Sequence, residues 1–261
     1  MLKTLRIAGR DRKRLEEIFS VTSRYGLGVL LARIGLDRSG SDDAGDGVSH
    51  SLPRRTRLAM EELGPTFVKL GQILATRADL LSPEWIAELE QLHSKAPTLP
   101  FEELRPIVEE ALGEAPECTF AEFDTESLAA ASMAQVHRAM LHDRRAVVIK
   151  IRRPGIRLRV EADIRLLAHI AALAERGSAE ARRFGPSRMM RQLAEAISEE
   201  LDFTTEGRNA DRLRADLAHE ARVVVPDIHW AWTSETLLVM EYIDGVPPRD
   251  REELRASGCS S

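Results

Sequence analysis

The spacing of apolar residues divides the chain into a helical first part and a mixed second part. Residues 15–36 and 53–93 carry apolar side chains at intervals of three and four, which is the pattern of one buried helix face. Within the second segment, Ser82 and Pro83 predict a new helix start, because serine caps a helix and proline suits its first turn. A further helix is predicted from Phe101 to Leu112, where a glycine follows.

Strand-like runs begin after these helices. Short segments rich in β-branched and apolar residues predict strands at 119–124, 134–141, 146–151, 223–225 and 236–243. Two long helices are predicted between the third and fourth of these strands, near 156–175 and 186–217. A helical unit of about 110 residues therefore precedes an α+β unit.

Run lengths and charge exclude several classes of protein. The longest apolar run, Gly26–Ile34, is interrupted by Arg33 and is about half as long as a membrane span. No secretory signal is visible, so we expect a cytoplasmic protein that is not secreted and has no transmembrane segment. A net charge of −5 argues against nucleic-acid binding. The two cysteines, Cys118 and Cys259, match no metal-ligand spacing, so no metal site is predicted.

The N-terminal segment 15–36 admits two interpretations. Its apolar face, with Arg24 and Arg33 interspersed, is suited to lying on a membrane surface. The alternative, which we favour, is a helix that packs on the domain or on a partner protein. The residues that follow are rich in Gly, Ser and Asp, which is typical of a flexible linker.

Lysine is scarce, and its positions are informative. Only five of the 37 basic residues are lysines, and Lys150 lies inside an apolar strand on the same predicted face as Val148. A half-buried lysine needs an anion or a carboxylate nearby, whereas a lysine on an edge strand simply points to water. Carboxylates are offered downstream by Glu200, Asp202 and Glu206, although a solvated helix face would carry the same residues.

An alanine-rich segment precedes Lys150 by about 20 residues. It runs LAAASMAQVH and places Ala130, Ala131 and Ser132 between two predicted strands. Small side chains at such a turn allow backbone N–H groups to approach phosphate, as glycines do in protein kinases.

The last predicted strand has the form of a kinase hinge. It runs LLVMEYIDGV, an apolar strand that reaches Met240 and is followed by Glu-Tyr-Ile and a glycine. In a hinge, backbone groups near Glu241 and Ile243 would hydrogen-bond the edge of an adenine ring.

In this order, the segments resemble the UbiB family of atypical kinase-like proteins, which is linked to ubiquinone biosynthesis. The resemblance spans residues 63–246. The matching elements are the KxGQ motif (Lys69, Gly71 and Gln72), the alanine-rich turn, the strand lysine Lys150 with its trailing Arg-Pro-Gly, the ExD motif (Glu200 and Asp202) followed by Glu206, and the hinge strand.

The resemblance implies an α+β fold: an atypical kinase-like N-lobe, with a small antiparallel sheet plus helices, behind an N-terminal helical extension. The units it implies are an amphipathic N-terminus (1–36), a linker (37–52), the KxGQ extension (53–117), the N-lobe (118–248) and the truncated start of a C-lobe or a tail (249–261).

The resemblance also implies roles for the site residues. Lys150 would hold the α- and β-phosphates of ATP or ADP, and Glu206 would orient Lys150. Lys69 and Gln72 would reach across the nucleotide pocket towards Glu200 and Asp202 and block protein substrates. The family would use Mg²⁺, whose ligands belong to a C-lobe.

The chain departs from the family pattern after the hinge. We find no H-x-D…N catalytic loop and no D-F-G, the segments that supply the catalytic Asp and the metal ligands. We therefore expect the C-lobe to be absent, ATP turnover by this chain to be negligible, and the uncovered lobe face to favour self-association.

Two functions follow as hypotheses. The first is the ATP-binding half of a UbiB-type kinase or ATPase that supports ubiquinone biosynthesis, peripheral to the inner membrane of a bacterium. The alternative is a non-catalytic module that binds a membrane surface, an isoprenoid lipid or ubiquinone biosynthetic proteins.

Overall fold

The computed structural model describes residues 9–27, 50–92 and 96–245. Its helices are α1 (Gly9–Arg24), α2 (Leu52–Leu63), α3 (Pro65–Ala75), α4 (Pro83–Leu89), α5 (Phe101–Leu112), α6 (Pro116–Thr119), α7 (Ile156–Gly177), α8 (Ala179–Phe184), α9 (Pro186–Leu201) and α10 (Phe203–Asp216). Its strands are β1 (Glu122–Ala130), β2 (Ala134–Met140), β3 (Ala146–Arg152) and β4 (Leu237–Glu241). Most of the predicted linker and the tail 249–261 lie outside the described residues.

The four strands form one antiparallel sheet in the order β1-β2-β3-β4. Along β3, Val147, Ile149 and Ile151 are fully buried in the core that α5 shares with the sheet. Because successive side chains of a strand alternate, Lys150 and Arg152 lie on the opposite face, as the sequence predicted for Lys150. The prediction of an α+β fold with a small antiparallel sheet is confirmed.

The helices after residue 50 place the KxGQ segment beside the lobe. α2, α3 and α4 pack together through Val68, Leu89 and Leu92. On its other side, α3 contributes Leu70 to a second cluster, in which Leu193 of α9 is fully buried. Since Lys69 adjoins Leu70, this packing brings the KxGQ lysine towards the C-terminal end of α9.

The apolar face of α1 is covered within the described residues. Ile18 and Val21 are buried in a cluster with Leu63 of α2, Phe67 of α3 and Leu166 of α7. For this part of the chain, the packing supports the interpretation that the helix docks on the domain. Residues 28–36 of the predicted helix lie outside the described residues.

The long helix predicted at 186–217 is wrong, because the chain forms two helices there. α9 ends at Leu201 and α10 begins at Phe203, and between them Asp202 is extended, with φ −108° and ψ 98°. Asp202 acts as the N-cap of α10 by accepting a hydrogen bond from the Thr204 N–H (2.9 Å). An aspartate inside a helical pattern is therefore the helix boundary.

The strand predicted at 223–225 is also wrong. The Val223 N–H donates to Glu220 O in a turn (3.0 Å), and proline at 226 has no N–H for a ladder. The outer edge of β4 is paired a few residues later, where Ile228 bridges to Met240.

The strand predicted at 119–124 is displaced. Its first residue, Thr119, ends the short helix α6, whose last turn is closed by the Phe120 N–H donating to Pro116 O (2.9 Å). β1 starts at Glu122 and continues to Ala130, so the first residue of the alanine-rich turn belongs to the strand.

No helix among residues 9–27, 50–92 and 96–245 is both long and apolar enough to cross a membrane.

Gly71 is required by close packing inside the extension. A Cβ at this position would lie 2.2 Å from Leu92 Cδ1 and 2.9 Å from Met60 Sδ. We expect Gly71→Ala to lower the free energy of unfolding by about 1–2 kcal/mol, because displacing the ends of the Leu92 and Met60 side chains outweighs the roughly 1 kcal/mol that alanine gains over glycine inside a helix. Thermal or urea unfolding of the purified chain measures this.

Gly177, at the end of α7, is the matched control. A Cβ there meets no atom within 4 Å, so Gly177→Ala is expected to leave stability unchanged or slightly raised. Equal losses in the two variants would show that the packing around Gly71 is not the cause.

Candidate functional site

Lys150 and Glu206 form an ion pair on the face of the sheet away from α5. Lys150 Nζ donates to Glu206 Oε2 at 2.6 Å. The pair is open to solvent, with 25% of the lysine side chain and 44% of the glutamate side chain exposed. Lys150 Nζ also lies 4.9 Å from the centre of the Phe203 ring. The lysine is thus held by a carboxylate and an aromatic face, while its ammonium remains accessible to an anion.

Helix α10 presents Glu206 from its first turn. The helix is fixed at its start by Phe203, which is buried with Ala134 of β2 and Leu238 of β4. The Asp202 carboxylate accepts hydrogen bonds from both the N–H (2.9 Å) and the hydroxyl (2.7 Å) of Thr204. Glu206 therefore projects from a capped, anchored helix end, which gives it a defined position opposite β3.

Lys69 of α3 forms an ion pair with Glu200, the first acidic residue of the ExD motif. Its Nζ donates to Glu200 Oε1 near the end of α9. This ion pair joins the KxGQ extension to the helix that leads into α10. The structure thus brings together Lys69 and Glu200, two residues 131 positions apart in the chain.

The other residues of these two motifs have different contacts. The Gln72 side-chain amide donates to Leu92 O (3.3 Å), inside the extension. Gly71 serves the same packing, and the Asp202 carboxylate caps α10. The resemblance implies that Lys69 and Gln72 reach towards Glu200 and Asp202, whereas in the structure Gln72 and Asp202 each bond to a local partner.

Arg153 holds the alanine-rich turn through hydrogen bonds to backbone carbonyls. The sequence did not predict this role for Arg153. The Ala131 N–H donates to Ala134 O (2.8 Å), which closes the turn. Arg153 Nε donates to Ala131 O (2.8 Å), and its Nη2 donates to Pro97 O (2.6 Å). The only sequence signal was the Arg-Pro-Gly that trails Lys150, which gave no hint of a carbonyl partner.

The small residues of the turn are accessible. Ala131 is exposed, and Ala130 and Ser132 are half-buried. Beside Ser132 lies a cavity of about 680 Å³ between the extension and the Arg-Pro-Gly segment, which Arg153 also lines. Neither Lys150 nor Glu206 lines this cavity, so the ion pair lies outside it.

One edge of β4, the predicted hinge strand, is already hydrogen-bonded to β3. The Tyr242 N–H donates to Ala146 O (3.1 Å) at β3, so the backbone of Glu241 faces the opposite edge. There the Glu241 N–H donates to Asp227 O (2.8 Å). Met240 is half-buried and Ile243 is 43% exposed. Of the groups predicted to bind adenine, the Glu241 N–H is therefore occupied, and its carbonyl is the group left at that edge.

A buried network of hydrogen bonds connects β2 to Leu99, which lies just before α5. The Gln135 side chain accepts from the Leu99 N–H (2.9 Å) and donates to Leu99 O (3.0 Å). It also contacts His137 Nε2 (3.0 Å), while His137 Nδ1 lies 2.9 Å from Asp124 O. Because a carbonyl can only accept, Nδ1 carries the proton and Nε2 accepts from the Gln135 amide.

This network makes stability depend on pH. Burial lowers the pKa of His137 below its ordinary value, and a second proton on Nε2 would face the Gln135 donor. Below about pH 6.5 the unfolded chain binds a proton that the folded chain refuses, so stability falls on acidification by up to about 1.4 kcal/mol per pH unit. Melting temperatures between pH 7.5 and 5.5 measure this slope.

Two variants isolate the contribution of His137. In His137→Gln the slope is expected to be shallower, because the residue no longer titrates. His142→Gln removes an exposed histidine and should keep the wild-type slope. A His137→Gln profile parallel to the wild type would contradict the assignment.

In the part of the chain that the structure describes, no three His, Cys, Asp or Glu side chains are grouped as a metal site would require. The accessible ammonium of Lys150 fits a phosphate group, because it is a compact point charge.

Comparison with known proteins places this arrangement in a family. Residues 91–261 match the ABC1 atypical kinase-like domain. A probable protein kinase UbiB of Xylella fastidiosa (strain M23) is 42% identical over 211 residues, which are 81% of this chain and 38% of that protein. The protein of the same description from Pseudomonas aeruginosa (strain LESB58) is 43% identical over 201 residues, 77% of this chain and 38% of its own.

A solved structure matches as well. It is titled as the complex of Rv3197 with erythromycin from Mycobacterium tuberculosis, and it aligns with a TM-score of 0.53 and 25% identity over 73% of this chain and 48% of that one. The chain spans about two-fifths of the length of the curated relatives it matches. The predicted resemblance to UbiB proteins is confirmed, and the chain belongs to the ABC1 atypical kinase-like family.

Proposed function

We propose that this chain forms the ATP-binding part of a UbiB-type atypical kinase or ATPase that supports ubiquinone biosynthesis. The observation that carries the proposal is the Lys150–Glu206 ion pair, which lies open to solvent on the sheet face of a kinase-like domain. The names of the relatives support the link to ubiquinone, and the family supports the link to ATP.

Different residues of the site would bind different parts of the nucleotide. Lys150 would meet the α- and β-phosphates, because an ammonium is a compact point charge that suits phosphate. Glu206 would keep that ammonium in place, and the turn at Ala131 would cover the phosphates. The Glu241 carbonyl and the Ile243 backbone would meet the adenine edge. When bound, ATP would supply the phosphoryl group that is transferred, and ADP would be the leaving group.

The Lys69–Glu200 ion pair gives the extension a role beside this site. It joins α3 to the last turn of α9 at Glu200, two residues before Asp202, the cap of the helix that carries Glu206. We propose that this contact keeps the extension against the lobe and limits access by a protein substrate. Such an arrangement favours an ATPase or a small-molecule kinase over a protein kinase.

Calorimetric titration of the full chain tests the proposal. ADP and ATP, each with Mg²⁺ and with EDTA, are expected to bind saturably with one site. Pyrophosphate should bind more weakly than ADP, because it lacks the adenine that the hinge would hold. Absence of saturable binding for all three would refute the nucleotide site, and binding to anionic vesicles alone would favour a lipid-binding module.

A further inference from the structure

Arg152 uses the same face of β3 as Lys150 but has a different partner. The two residues are separated by one position, so their side chains leave the strand on the same side. Lys150 pairs with Glu206 in α10, whereas Arg152 Nη1 donates to Leu201 O at 2.9 Å. Leu201 is the last residue of α9.

This contact satisfies a helix end that has no continuation. The last carbonyls of a helix lack N–H partners, and the C-terminal end carries partial negative charge. A guanidinium supplies both a donor and a positive charge, which is why arginine suits this position. Arg152 is half-buried here, so the contact is not a loose surface pairing.

A second tie fixes the other side of the break. The Phe203 N–H, at the start of α10, donates to Glu235 O (3.3 Å) in the turn before β4. Glu235 is itself held by Arg157 of α7, whose Nη1 donates to its Oε2 (2.9 Å). The extended residue Asp202 is therefore bracketed, with Leu201 O held by β3 and Phe203 N held beside β4.

The position of Glu206 depends on this junction. Glu206 lies four residues after Asp202, in the first turn of α10, so a shift of the junction displaces it directly. β3 thereby contacts both sides of the helix break, through Arg152 before it and Lys150 after it.

We propose that Arg152 is a positioning residue: by holding the end of α9, it sets the start of α10 and so places Glu206 against Lys150. The role in nucleotide binding rests on the function proposed above. The role in fixing α10 rests on the contacts alone and can be tested without nucleotide.

The first test measures ADP affinity in the full chain. Arg152→Met keeps the aliphatic stem and removes the donor, and it is expected to weaken ADP binding by about tenfold. Arg145→Met is the control, because Arg145 is an exposed arginine just before β3 whose partner is Asp143. It should bind ADP as the wild type does.

A double-mutant cycle separates positioning from general destabilisation. If Arg152 acts through Glu206, then Arg152→Met should cost little more once Glu206→Gln is already present. Independent, additive losses of affinity would overturn the proposal. Arg152→Lys restores a cationic donor and is expected to recover part of the affinity, and no recovery would count against it.

Hydrogen exchange gives a readout that needs no ligand. In Arg152→Met, amides of residues 203–216 are expected to exchange about tenfold faster, while those of α5 keep wild-type protection. If wild-type chain binds no ADP but this local change appears, the proposed function fails and the positioning role stands. Unchanged exchange in α10, or equal acceleration everywhere, would overturn the positioning role. If the methionine variant does not fold, Arg152→Lys serves in the same measurement; because it keeps a donor, the expected result is then a smaller acceleration confined to residues 203–216.

Discussion

Lys150→Met is expected to weaken ADP binding about 30- to 100-fold, a loss of roughly 2–3 kcal/mol. Methionine keeps the length of the side chain and removes the ammonium that would meet the phosphates. The remaining carboxylate of Glu206 would then face the phosphates without a cation between them, which adds repulsion. Titration calorimetry with ADP on the purified variant measures the change.

Lys13→Met provides the control for this variant. Lys13 is an exposed lysine on α1, so its replacement removes the same charge from the chain without touching β3. We expect its ADP affinity to equal that of the wild type. Comparable losses in both variants would show that the effect is one of net charge, and unchanged binding in Lys150→Met would remove Lys150 from the site.

Breaking the buried Arg14–Asp163 pair is expected to cause a large loss of stability. Arg14 Nε and Nη2 donate to the two oxygens of Asp163 at 2.5 and 3.0 Å, and Nη2 also donates to Leu63 O at 2.6 Å. Only 5% of the arginine side chain and 1% of the aspartate side chain are exposed. Asp163→Ala removes the buried counter-charge and leaves Arg14 with only the half-exposed Glu17, whose Oε2 lies 2.7 Å from Nη1, at a cost of up to about 3–5 kcal/mol.

Chemical unfolding of Asp163→Ala measures this cost, and Asp79→Ala is its control. Asp79 pairs with Arg77 through two hydrogen bonds of 2.7 Å each, but on the surface. Its loss is expected to leave the unfolding midpoint unchanged, since exposed pairs contribute little. Replacing both partners, as Arg14→Met with Asp163→Leu, should recover much of the stability. Similar midpoints for the two alanine variants would contradict the burial argument.

The sequence-based predictions of structure are confirmed where a single local pattern determines the structure. The alternation of β3 placed Lys150 opposite its buried neighbours, and the helix 101–112 ends where predicted, at Gly113 with a φ of 77°. The alternation predicts that Lys150 needs a carboxylate, the family resemblance assigns that role to Glu206 rather than to Glu200 or Asp202, and Lys150 and Glu206 are in contact. In each case the information lies within a short stretch of chain or in an ordered set of motifs.

The sequence-based predictions missed contacts in which a side chain bonds to a backbone group. Arg152 and Arg153 bond to carbonyls of Leu201, Ala131 and Pro97, and a carbonyl carries no side-chain signature in the sequence. The same holds for Gln135, whose amide pairs with the backbone of Leu99. Contacts of this kind are set by tertiary packing, and only the structure could supply them.

The helix break at Asp202 is an intermediate case. Aspartate is a preferred N-cap residue, but the helical periodicity on both sides concealed this signal. The helix predicted at 186–217 contains both Glu200 and Asp202, whereas in the structure Glu200 lies at the end of α9 and Asp202 is the N-cap of α10. Their different partners, Lys69 and Thr204, follow from that break.

Labelling with an acyl-phosphate derivative of ATP tests the central claim most directly. The reagent transfers its acyl group to a lysine amine that lies beside the bound phosphates, and peptide mapping identifies the modified residue. We predict that Lys150 is labelled in the full chain and that excess ADP protects it, while Lys13 reacts slowly and without protection. Labelling of Lys150 that ADP does not change, or ADP-protected labelling only at another lysine, would contradict a nucleotide site on β3.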